Sequence, residues 1–207
     1  CARPRDCEQN VGCLSLLIAE VSIMKLFSSG ISISTEEKKY LDHIVSDVEA
    51  WLTSSLTSKT ARRKKALTEA WADAYNASST AIPSTEKAFI DSIATQAGYK
   101  TRKALDTEEG TDQVEYPATS GDVKLFSSGI VIDDTDAKAL LSFTPDMTQW
   151  VRAAISQKIN RAKKILKKEW KDRLLDAEDY TDNLPNTDTE WINVVTARDD
   201  YVKRLES

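Results

Sequence analysis

The chain has 207 residues, of which 41% are hydrophobic and 29% charged, the balance of a soluble globular protein that can bury a core. A net charge of −5 argues against a surface built throughout for nucleic acid, although it leaves room for a local basic stripe. Cys1, Cys7 and Cys13 all fall in the first thirteen residues and His43 is the single histidine, so no disulfide framework, metal site or cofactor is expected.

The apolar run from Cys13 to Ile23 is broken by Glu20 and is too short to span a bilayer, so no membrane insertion is expected. Residues 1–23 read as an N-terminal extension that carries no argument about fold. From there the sequence repeats itself. Lys25-Leu26-Phe27-Ser28-Ser29-Gly30-Ile31 returns as Lys124-Leu125-Phe126-Ser127-Ser128-Gly129-Ile130, an offset of 99 that holds without a gap to Tyr75 and Leu174, with about 19 of 51 positions identical. After a three-residue insertion the match resumes, setting Pro83 against Pro185, Tyr99 against Tyr201 and Arg102 against Arg204. The expected fold is mainly α: two tandem copies of a small three-helix unit, 24–103 and 123–207, each preceded by a short extended or β arm. An acidic linker at 104–122 joins them. A unit of this size buries only about 60% of its unfolded surface, which favours packing of one copy on the other as a pseudo-dimer.

In chain order, each copy opens with two short apolar runs around Ser-Ser-Gly, an arm or strand. Ser34 with Glu37, and Asp133 or Asp134, are N-cap choices for a short first helix. Thr144 followed by Pro145 predicts the start of a long helix reaching about Leu175, on which Val151, Ala154, Ile155, Ile159, Ala162, Leu166 and Trp170 form one apolar stripe. Trp71 and Trp170 are placed in the core on this reading. Thr187 with Glu190 forms a capping box for a third helix.

Three sets of residues stand out beyond the core. The arms repeat Leu26, Phe27 and Ile31 as Leu125, Phe126 and Ile130, candidates for contact with each other or with a larger partner. Trp51 and Trp150 sit at the start of the long helix, away from the centre of its stripe, either as interface anchors or packed within their own units. The basic residues Lys59, Arg62 and Lys65, repeated as Lys158, Arg161 and Lys164 and extended by Lys168, could follow a phosphate backbone or could form a solvated helix face. Catalysis has little footing, because His43 has Ser142 at its repeated position and no glycine-rich phosphate loop is present. No enzyme activity is expected.

Thr144-Pro145-Asp146, Trp150-Val151-Arg152-Ala153-Ala154-Ile155, Lys168-Glu169-Trp170, Leu184-Pro185 and the run from Val195 to Arg204 together resemble a family of small, largely uncharacterised helical proteins of tailed bacteriophages. The first copy keeps Asp47, Trp51, Trp71, Pro83, Tyr99 and Arg102 of this pattern. The resemblance implies a non-enzymatic virion structural or assembly protein, capsid- or tail-associated, acting through self-association or contacts with other phage structural proteins. It would be found in the virion, and in host cytoplasm during assembly. The alternative is a nucleic-acid-binding accessory protein that uses the basic face of each long helix.

Overall fold

The computed structural model describes residues 23–111, 115, 120–177 and 184–205, and shows a mainly helical protein with two small β elements. The three cysteines lie outside the described residues. The strands are β1 (Ile23–Leu26), β2 (Ile31–Ile33), β3 (Val123–Leu125) and β4 (Ile130–Asp133). β1 and β2 flank a tight turn in which Gly30 N donates to Phe27 O at 2.7 Å, and β3 and β4 flank its repeat, closed by Gly129 N to Phe126 O at 2.7 Å. Neither turn makes a hairpin ladder. Instead β1 pairs antiparallel with β4, and β2 with β3, so that the two arms grip each other.

The two ladders share one register. Leu26 faces Ile130 and Leu125 faces Ile31; Met24 faces Ile132 and Val123 faces Ile33. Each pair becomes the other when 99 is added to one number and subtracted from its partner, which is what a two-fold relation between the arms requires. Glycine is needed at the turn ends because φ is +82° at Gly30 and +81° at Gly129, and because a Cβ on Gly30 would sit 2.8 Å from Leu125 O.

The seven helices among the described residues begin where side chains can satisfy the free N–H groups of a first turn. In α1 (Thr35–Ile44), Ser34 and Glu37 form a reciprocal capping box, and Thr187 with Glu190 does the same for α7 (Asp188–Thr196). The 30-residue helices α2 (Val48–Ala77) and α6 (Met147–Asp176) are capped by Asp47 and Asp146. Thr144 is thus not the N-cap of α6. Its hydroxyl donates to Asp146 O, while the Asp146 carboxylate accepts from Thr148 N and Gln149 N. α3 (Glu86–Ala94), α4 (Arg102–Glu109) and α5 (Asp134–Leu141) complete the set.

α4 occupies part of the span expected to be linker. Thr101 caps it, Arg102 pairs with Asp106 at 2.5 Å, and Gly110 ends it in the left-handed conformation at φ +64°. These local interactions hold a helix that buries little apolar surface.

The short helices cross over. α1 packs on α6 and α7, whereas α5 packs on α2 and α3. Tyr40 of α1 donates its hydroxyl to Asp188 O at 2.6 Å, and Lys138 of α5 pairs with Asp91 of α3 at 2.6 Å. One large core runs through the molecule, holding Leu41 and Ile44 of α1, Leu52 of α2 and Val151, Ile155, Leu166, Trp170 and Leu174 of α6. Full burial of such side chains stabilises the fold by about 1.5–3 kcal/mol each. A smaller core gathers Leu67, Tyr75, Phe89, Ile90 and Ile93. Trp71 is half-buried at its edge, whereas its counterpart Trp170 is fully enclosed.

Candidate functional site

On α2 the residues Trp51, Ser55, Lys59 and Arg62 recur at intervals of four, four and three, which brings them to one face of the helix. Trp150, Ala154, Lys158 and Arg161 repeat that spacing on α6. The two faces line one cleft of about 1100 Å³ between the N-terminal halves of the long helices, with Trp51, Lys59, Arg62, Trp150, Lys158 and Arg161 all in its walls. Both tryptophans are half-buried, resting on the large core with part of each ring toward the cleft.

The cations reach across rather than along the helices. Lys158 Nζ of α6 lies 5.3 Å from the centre of the Trp51 ring of α2. Lys59 Nζ lies 4.3 Å from the centre of the Phe143 ring, which also carries the Arg63 guanidinium at 3.9 Å. Burial first, and then the positive charges of Arg63 and Arg62, hold the Lys59 ammonium below its ordinary pKa. Of these, Lys59 and Arg62 line the cleft, together with Lys158 and Arg161, and give it a positive wall suited to an anion. Ser54, Ser55 and Ser58 make the α2 wall small and hydroxyl-bearing, and Asp47 is the acidic residue of the lining among the described residues.

Other basic positions do different work. Lys64 is held between Glu86 and Asp136, each at 3.0 Å, and Lys163 pairs with Asp188 at 3.0 Å, so this repeated position fastens the long helices to their neighbours. Lys65, Lys164 and Lys168 are exposed and do not line the cleft.

The arms are taken up within the molecule. Leu26, Ile31, Leu125, Phe126 and Ile130 are buried in the large core, and Phe27 is half-buried with the Arg152 guanidinium 5.9 Å above its ring. Arm pairs with arm, and Phe126 N also donates to the Glu49 carboxylate of α2 at 2.5 Å.

The cleft has a third side that the sequence reading passed over. Arg204 and Leu205 of the C-terminal segment line it. That segment is fastened by Tyr201, whose hydroxyl lies 3.3 Å from His43 Nδ1, and by an ion pair between Arg204 and Glu169. His43, fully buried, also places Nε2 3.1 Å from Glu169 Oε2. Desolvation lowers the His43 pKa, and the hydrogen bond to Glu169 only partly offsets it. The aromatic match of Tyr201 with Tyr99, already visible in the sequence, was the signal for this anchoring.

Among the described residues no group of three His, Cys, Asp or Glu side chains could hold a metal ion, and no helix is long and apolar enough to cross a membrane. No protein-family model, curated protein or solved structure matches the chain.

Proposed function

We propose that the chain is a non-enzymatic binding protein, a tandem duplication whose two three-helix units exchange arms and first helices, and that its cleft holds single-stranded nucleic acid. The observation that carries this reading is the meeting, in one cleft, of Trp51, Lys59 and Arg62 with their repeats Trp150, Lys158 and Arg161. Cations track a phosphate backbone while aromatic rings stack on bases, each stacked base contributing about 1–3 kcal/mol. A duplex keeps its base faces stacked on one another, so a pair of half-buried tryptophans favours a single strand. The duplication itself is supported by the offset of 99 that recurs in the sequence, in the strand registers and in the cleft walls.

Tryptophan fluorescence on titration with a thymidine oligonucleotide tests the proposal. Binding at about 50 mM salt should weaken with a log–log slope near −3, as expected for about four phosphate contacts. The pair Arg62→Glu and Arg161→Glu should abolish it, while Lys65→Glu with Lys164→Glu should leave most of it. Absence of binding at low salt, or equal losses from the two pairs, would overturn the reading.

A role as a phage virion structural or assembly protein, the expectation drawn from family resemblance, is a second reading. Val202 and Leu205 favour it, because at 75% and 53% exposure they offer a protein partner an apolar grip on the C-terminal segment. Here Val202→Asp with Leu205→Asp should remove the protein from purified particles, and unchanged incorporation would count against it.

A further inference from the structure

The two halves differ beside the second tryptophan of each long helix. In both, an aromatic pair lies between the long helix and the segment after the third helix: Trp170 with Tyr201, ring centres 6.1 Å apart, and Trp71 with Tyr99 at 6.5 Å. Beside Trp170, Glu169 bonds His43 and pairs with Arg204, and Ala162 of α6 is fully buried. Beside Trp71 the positions at the same offset carry Ala70 in place of Glu169, Ser142 in place of His43 and Arg63 in place of Ala162. The result is an open pocket of about 310 Å³, lined by Leu67, Ala70, Trp71, Tyr99, Phe143 and Arg63 among others.

We infer that this pocket is a second binding site, separate from the cleft, and that it takes a small planar aromatic carboxylate. Its volume sits at the small end of ligand pockets, suited to one or two fused rings. Three aromatic side chains supply walls against which a flat ring can stack or meet edge to face. The charge on the ligand follows from Arg63. Its guanidinium lies over the Phe143 ring and has no carboxylate partner among the described residues, whereas Lys100, also at the pocket, is paired with Glu108 at 2.6 Å. A planar guanidinium with open donors matches a carboxylate in geometry as well as sign. Ser142 does not compete, since its hydroxyl donates to Ala139 O.

Calorimetry with 2-naphthoate, and with the neutral 2-naphthol, tests the site. The wild-type chain should bind naphthoate at one site. Arg63→Gln should weaken naphthoate by about tenfold, the loss of one charge-assisted contact, and leave naphthol within about twofold. Ala70→Glu, which restores the side chain present in the other half, should abolish binding of both, with circular dichroism confirming that the helices are retained. Arg62→Glu with Arg161→Glu should leave naphthoate binding unchanged. The inference is overturned if naphthoate does not bind, if it binds Ala70→Glu as well as wild type, if Arg63→Gln weakens both ligands alike, or if the cleft variant loses it.

Discussion

His43 Nε2 lies 3.1 Å from Glu169 Oε2, joining α1 to α6 across 126 positions of sequence. The imidazole is fully buried, stacks on Tyr201 with ring centres 5.8 Å apart, and shares Glu169 with Arg204. It thereby ties together the crossed-over first helix, the long helix and the C-terminal segment that borders the cleft.

The titration of this group makes stability depend on pH. The folded-state pKa is lowered from 6.5, chiefly by desolvation, so the unfolded chain takes up a proton that the fold resists. Stability is therefore complete above the unfolded value and falls as pH drops from that value toward the folded one. Thermal melts at about pH 7.5 and about pH 5.5 should show a loss in the wild-type chain that is smaller in His43→Gln. An equal loss in both would assign the dependence to the carboxylates instead.

Gly30→Ala should destabilise the chain by about 1–3 kcal/mol, because alanine at φ +82° is strained and its Cβ would press on Leu125 O. Ser28→Ala, at an exposed turn position, should cost far less. Denaturant midpoints of the two variants decide the matter, and equal shifts would remove the argument.

Ile155 has no exposed surface, and its shortening leaves a hole where α6 meets the rest of the large core. Ile155→Ala should cost about 2–5 kcal/mol in urea unfolding. A cost below about 1 kcal/mol would mean that the core closes over the gap.

The crossing of the short helices makes a stronger demand. Residues 23–111 alone would lack α5, which covers α2 and α3, and residues 120–205 alone would lack α1, which covers α6 and α7. Sedimentation of the separate fragments should find dimers or unfolded chains, and an equimolar mixture should form a one-to-one complex. A folded monomer of either fragment would refute the exchange.

Much of the helical architecture could be read from residue patterns, for identifiable reasons. The capping boxes at Ser34 and Thr187 and the stripe on α6 depend on neighbours within one or two turns, which spacing reveals. Which helix covers that stripe does not depend on local spacing. The pattern marks an apolar face on α6 but is silent on whether α1 or α5 lies against it; in the fold it is α1. α4 was hidden because its stabilisation is polar, with Asp106 buried against Arg102. The cleft was half visible: the spacing of Trp51, Lys59 and Arg62 gives each wall, while the meeting of the walls belongs to tertiary structure.

Because the arms pair within a single chain, both walls of the cleft are present at any protein concentration, unlike a site assembled from two separate subunits. The walls are also free to be unlike. α2 offers Ser54, Ser55 and Ser58 where α6 has Ala153, Ala154 and Gln157. Lys59 leans on Phe143, whereas Lys158 leans on Trp51. A symmetric pair of subunits would present two like walls; here the walls differ from end to end.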